Sequence, residues 1–374
     1  LASLGIDAIW LSPIHPSPNR DWGYDVSDYE GIHPDYGTQA DFDRLLAEAH
    51  RRGLKVLTDE VLAHTSDEHS WFLDSLKRGE KSDWYVWADP KLDGTVPNNW
   101  LSAFAGAAWA YQPARRQYYH HKFLRQQPKL NWRDPAAKAA ALGVLDGWLK
   151  RGVDGFRLDV ANAYLHDPSL TDNPPVPVEQ RSAHNWAHAP NLQFHYYDSN
   201  LREEIEVLDQ IRRVVESYPD RFVMGEFSEE PELCGCFAPP DKGLHSGYSF
   251  PLLEAHKLEP GFIRDHFAML ARHEGHWPSV AFSNHDVMRT VTRFGGKNAP
   301  RGLAKLMLAL LFTLKGTALI YQGEELGLPQ ADIRRDQIKD PVGDLYYPYT
   351  FGRDGCRTPM PWNSSLPNLG FGGG

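Results

Sequence analysis

Cysteine is scarce: Cys234, Cys236 and Cys356 are the only three in 374 residues. No disulfide framework or Cys-x-x-Cys metal pattern can be built from them, and the low count suits a reducing, cytoplasmic setting. A basic excess is also missing. Lys and Arg total 39 against 49 Asp and Glu, for a net charge of −10, so no nucleic acid is expected as a partner, since phosphate binding needs a basic face. Long hydrophobic runs are absent too. The longest, Leu306 to Leu314, contains Thr313 and is flanked by Lys305 and Lys315. It is too short to cross a membrane and reads as a buried helix. There is no G-x-G-x-x-G, Walker or His-Glu-x-x-His pattern, which removes the usual nucleotide and zinc-hydrolase signatures. No signal peptide is visible, and the abrupt opening LASLGIDAIWLSP and Gly-rich end read as a fragment.

What remains is a chain of ordinary globular composition, 41% hydrophobic and 24% charged. Short apolar runs recur at Ile6–Ser12, Leu54–Thr58, Val153–Asp159, Phe222–Glu226, Ser279–Ser283 and Ala318–Gln322. Each reads as a strand, and helical patterns lie between them. Gln39–Arg52 repeats Phe42, Leu45, Leu46 and Ala49 at helical spacing, and Pro135–Lys150 is opened by Asp134 as N-cap with Pro135 in the first turn. Such alternation implies a parallel sheet covered by helices, either doubly wound or a closed (β/α)8 barrel. Most of the strands run into an acid, His or Arg at their C-terminal end, the layout of a TIM barrel's active-site face. Two long stretches break the alternation. Residues 65–133, rich in Trp, Pro, Asn and Gln, read as a small inserted domain, leaving 1–64 and 134–374 as the two parts of the barrel. Residues 162–200 form the second, with Pro174, Pro175, Pro177 and Pro190 stiffening it.

In GFRLDV (155–160), Arg157 and Asp159 fall on one face of a strand because side chains alternate. A cation beside a carboxylate keeps it ionised, as a nucleophile requires, although a structural ion pair has the same spacing. In FVMGEF (222–227), Glu226 ends an apolar strand, a setting that suits a general acid as well as an exposed loop residue. VAFSNHD (280–286) ends on His285 and Asp286, which with His64 and Asp59 make a metal set conceivable, without any signature to support it. Three carboxylates at one barrel mouth fit a retaining glycosidase, whose two carboxyl groups stand about 5–5.5 Å apart.

The ordered blocks DEVLAHTS (59–66), GFRLDVAN (155–162), GEF (225–227) and FSNHD (282–286) resemble the α-amylase superfamily, glycoside hydrolase family 13. DWGYDVSDY (21–29), QPKLN (127–131), YQGEELG (321–327) and RTPMPW (357–362) are similar to its α-glucosidase and oligo-1,6-glucosidase branch. The resemblance implies an α/β fold, a (β/α)8 TIM barrel with a small domain inserted after the third strand, the first strand and a C-terminal β-sandwich being missing. It implies a retaining, exo-acting α-glucosidase with Asp159 as nucleophile, Glu226 as acid/base and Asp286 as transition-state stabiliser. Asp21, Tyr24, His64, Arg157, His285 and Arg357 match positions that grip the non-reducing glucose, with Asp21 and Arg357 closing the pocket floor. Asp59 matches a position of structural support. No cofactor is needed for the chemistry, a structural calcium or magnesium ion being expected only in the missing N-terminal loop, so no metal ligand is named. The implied substrates are short α-glucosides: maltose, isomaltose, sucrose and aryl glucosides. Two departures stand out. Ala63 replaces the Asn that often precedes the first-block His, and Lys129 replaces the Asp of QPDLN. Transglucosylases and sucrose isomerases share the same residues, and some superfamily members are non-catalytic interaction modules that have lost their carboxylates, which this chain keeps.

Overall fold

A computed structural model describes residues 1–180, 189–228 and 231–371. The protein divides into two compact units, Leu1–Ser228 with Cys236–Gly247 and Glu229–Gly235 with Tyr248–Gly374.

The first unit opens on β1 (Ala8–Leu11), followed by α1 (Gln39–Arg51) and β2 (Lys55–Glu60). Helix α1 starts where Thr38 and Asp41 cap each other reciprocally, and it buries Phe42, Leu46 and Ala49. Leu45, expected on that face, is instead 44% exposed. The next stretch holds α2 (Ser70–Leu76) and an antiparallel sheet of β3 (Trp87–Ala88), β4 (Trp109–Gln112) and β5 (Gln117–His120) in the order β3-β5-β4. Val86, Trp100, Ala108 and Trp109 form a small core of their own there. Helix α3 (Pro135–Arg151) begins as expected: Asp134 accepts from the amides of Ala136 and Ala137 at 2.9 and 2.8 Å. It ends at Gly152, whose φ of 109° suits glycine.

Strand β6 (Gly155–Leu158) follows, then α4 (Glu204–Glu216) and β7 (Phe222–Phe227). Strands β1, β2, β6 and β7 pair parallel in that order. A further strand, β8 (Ser246–Ser249), extends the sheet beyond β7. Its SGYS sequence has no apolar run to announce it, so the hydrophobic pattern does not predict it. Strand β6 is shorter than the expected Val153–Asp159, and Asp159 leaves it in a turn. Gly155 permits the closeness of β6 and β7: a Cβ there would lie 1.8 Å from the Phe222 carbonyl oxygen.

In the second unit, β9 (Ser279–Ala281) and β10 (Thr317–Leu319) pair parallel. Both are shorter than expected, and His285 and Asp286 lie beyond the end of β9. The helix Leu303–Thr313 packs Met307 and Leu311 on Val280, Phe282 and Leu252. This apolar run was expected to be a buried helix, but only one stripe of it is covered, with Leu306 and Phe312 exposed; among the described residues no helix is long and apolar enough to cross a membrane.

Candidate active site

Parallel register brings the first group of side chains together. Asp59 of β2 lies abreast of Arg157 of β6, and Arg157 abreast of Met224 of β7. Because side chains alternate, Asp59, Arg157 and Glu226 share one face, and the turn after β6 brings Asp159 back to Arg157. The fully buried Arg157 is the hub. Its Nη1 donates to Asp59 Oδ1 at 2.7 Å and to Asp159 Oδ1 at 2.8 Å, while Nη2 meets Glu226 Oε1 at 2.7 Å. One rigid guanidinium therefore holds Asp159 and Glu226 as neighbours, a task a lysine's point charge would not perform.

Asp59 also accepts from the Tyr24 hydroxyl at 2.9 Å and the Trp10 indole at 3.2 Å. Burial pushes its carboxyl up to about 6, against the pull of Arg157 and Tyr24, and the charge of Glu226 adds to the rise. Glu226 is anchored further: its Oε2 accepts the Val160 amide at 3.1 Å, and its carbonyl accepts the Ala161 amide at 2.9 Å. Val160 has φ 36°, a strained conformation for a β-branched residue, immediately after Asp159.

Asp21 and Tyr24 sit on a loop organised by Asp25, which accepts from Ser17 Oγ and the amides of Arg20 and Asp21 at 2.9–3.0 Å. His64 Nε2 donates to the Tyr24 carbonyl at 2.8 Å, a carbonyl being only an acceptor. Burial pushes this imidazole down to about 4 and keeps it neutral. Gln127 ties the group together by donating to Asp21 Oδ2 and the Tyr24 carbonyl, both at 3.1 Å. The QPKLN block contained Gln127, but only the fold shows which residues it reaches.

The second unit holds its own polar group. Asp286 Oδ1 accepts from Arg357 Nη2 and Arg353 Nη1, each at 3.0 Å, and its Oδ2 lies 3.2 Å from His285 Nε2. Arg357 Nε donates to the His285 carbonyl at 2.7 Å. Arg353 was not singled out from the sequence. Its spacing of four from Arg357 across the helical turn Asp354–Cys356 was the available signal. Among the described residues no three His, Cys, Asp or Glu side chains gather as metal ligands.

The model of the alpha amylase catalytic domain matches residues 1–374. The chain belongs to the α-amylase family. Its catalytic domain is a (β/α)8 barrel, an architecture to which parallel strands such as those of each unit belong. Within the family, the chain is 47% identical to a probable alpha-glucosidase of Rhizobium meliloti, over 99% of this chain and 69% of that one. It is 35% identical to an oligo-1,6-glucosidase of Heyndrickxia coagulans, over 99% of this chain and 72% of that one. Among solved structures, an alpha-glucosyl transfer enzyme, XgtA, matches with a TM-score of 0.95 at 46% identity, covering 99% of this chain and 70% of that one. These relatives place the family member in the α-glucosidase and oligo-1,6-glucosidase branch.

Proposed function

We propose that this chain is the catalytic barrel of a retaining, exo-acting α-glucosidase that releases glucose from the non-reducing end of short α-glucosides. The observation that carries the reading is the Arg157 guanidinium holding Asp159 and Glu226 side by side in a family of glycoside hydrolases. Asp159 attacks the anomeric carbon while Glu226 protonates the departing oxygen, giving a covalent glucosyl-enzyme intermediate. Glu226 then takes a proton from water, which displaces Asp159 and frees glucose with retained configuration. Asp286 stabilises the charge developing on the sugar ring. Asp21, Tyr24, His64, Arg157, His285 and Arg357 bind the terminal glucose; Gln127 in the first unit, and Asp286 meeting Arg357 and His285 in the second, support the reading that each group is pre-organised.

Residues 65–133 are the inserted domain, and the segment 162–200 is a stiff cover over the mouth, favouring maltose, isomaltose, sucrose and aryl glucosides over starch. The cover reading is supported by Asn99, which exchanges hydrogen bonds with the backbone of Asn173 at 2.9 and 2.8 Å and accepts from Gln193 at 2.7 Å. Residues 181–188 of this segment lie outside the described residues.

The test is Asp159→Ala and Glu226→Gln in the full-length protein. Both should lose hydrolysis of maltose by more than about 1,000-fold while retaining the wild-type fold by circular dichroism. Azide should partly rescue Asp159→Ala and yield β-glucosyl azide. Near-normal turnover of an unactivated disaccharide by either variant refutes the assignment. Resemblance to an alpha-glucosyl transfer enzyme favours one second reading, transfer of the glucosyl group to an acceptor other than water. Product analysis on maltose and sucrose separates the two.

A further inference from the structure

A few residues beyond the nucleophile, two buried and oppositely charged side chains from different parts of the chain together hold three consecutive residues, Lys129 the first and Glu204 the next two. Lys129, 2% exposed, donates from Nζ to the Ala163 carbonyl. Glu204, fully buried at the start of α4, accepts the amides of Tyr164 and Leu165 at 3.1 and 3.0 Å. The gripped segment is coupled to the reacting groups by short links. The Ala163 amide donates to the Val160 carbonyl at 2.9 Å, and the Val160 amide donates to Glu226 Oε2.

The other charges facing Lys129 are already matched. Lys122 pairs with the buried Asp198 at 3.2 Å, and Arg133 pairs with Glu203. The remaining titratable neighbours, His64, His120 and His166, are held neutral by burial, and neither ring nitrogen of His120 has a hydrogen-bond partner. Lys129 and Glu204 are therefore left as each other's counter-charge. We propose that Lys129 and Glu204 are positioning residues, a buried charge clamp that holds Asp159 and Val160 in reactive geometry only while Lys129 is protonated and Glu204 ionised. Burial lowers the Lys129 ammonium from its ordinary range and raises the Glu204 carboxyl. Loss of the Lys129 proton weakens the bond to Ala163 and strands a buried carboxylate. The clamp consequently fails as pH rises, below the ordinary lysine range of about 10.4.

The proposal rests on Asp159 being the nucleophile. That is checked separately by trapping the wild-type enzyme with a fluorinated glucosyl fluoride and locating the label by peptide mass spectrometry. The same label counts competent sites. The experiment is the pH profile of kcat/KM per labelled site for a dinitrophenyl α-glucoside, whose leaving group needs little protonation and so suppresses the Glu226 contribution. The wild type should decline on the alkaline side. Lys129→Arg, which carries a charge that does not titrate, should keep activity within about threefold and lose that decline. Glu204→Gln should move the decline to lower pH, because its removal takes away the anion that favours the ammonium. Lys129→Met should lose kcat by about 10–100-fold with little change in KM, the effect of a small misplacement of the nucleophile. An alkaline limb that stays put in both Lys129→Arg and Glu204→Gln overturns the proposal, as does an unchanged kcat in Lys129→Met. If Lys129→Met does not fold, the limb positions in the other two variants decide.

Discussion

Val160 is the residue where backbone strain and specificity meet. Its φ of 36° turns the chain sharply after Asp159, and its amide is committed to Glu226. The resemblance to oligo-1,6-glucosidases implies that an apolar residue at this place goes with α-1,6 cleavage and a Thr with α-1,4 preference. One small side chain shifts such discrimination by about 1–3 kcal/mol. Val160→Thr should therefore tilt the kcat/KM ratio of maltose to isomaltose toward maltose without abolishing either activity. An unmoved ratio removes Val160 from the specificity argument. At this scale much was readable from local pattern. The spacing of two correctly puts Asp159 beside Arg157, although Asp159 lies in the turn just after the strand, and Glu226 lies near the end of an apolar strand. Gln127 and Arg353 were not found, because a polar side chain in a loop carries no local signature of the partner it will meet.

Among elements, residues 98–100 interlock with 170–173, and the proposed cover makes this interlock the source of its stiffness. Asn98 Nδ2 donates to the Leu170 carbonyl at 3.0 Å and the Trp100 indole to the Thr171 carbonyl at 2.9 Å, beside the paired bonds of Asn99 and Asn173. Asn99→Ala removes both of the latter, and each is worth about 0.5–1.5 kcal/mol. Limited proteolysis in the 170–193 region should accelerate, and activity on maltotetraose relative to maltose should rise. Unchanged proteolysis with an unchanged chain-length preference means that the interlock does not control access. Prolines in the 162–200 segment suggested a stiff connection from sequence, but the asparagine exchange belongs to residues more than seventy positions apart and had no sequence signal.

Over the whole molecule, burial of neutral imidazoles makes folding sensitive to acid. Burial holds His64, His69, His121 and His266 down to about 4, and His166 to about 3. Between about pH 4 and 6.5 the unfolded chain therefore binds more protons at these sites than the folded one. Their stabilisation is complete above about pH 6.5 and is lost as pH falls toward 4. Asp59 and Glu204, raised by burial to about 6 and about 7, act most strongly in the opposite sense, joined by His15, Asp25, Asp67, Glu254 and Glu324, whereas the lowered imidazoles also include His120 and His245. The midpoint of urea denaturation should fall from about pH 7 to about pH 5. An unchanged midpoint would mean that the folded protein accommodates charged imidazoles at these sites.

By itself the sequence determined the alternation of strands and helices, the capped start of α3, the strands that carry Arg157 and Glu226, and the family. All of these depend on periodicities and spacings within short windows, where chain geometry translates directly into direction. Only the tertiary structure decided that one guanidinium serves Asp59, Asp159 and Glu226, that Lys129 and Glu204 close on the segment 163–165, and that SGYS becomes a strand. Arg157 and Asp59 are 98 residues apart in the chain, and Lys129 and Ala163 are 34 apart. Contacts at such separations are set by strand register and helix packing, which arise when apolar faces are buried together and leave no trace in the local order of residues.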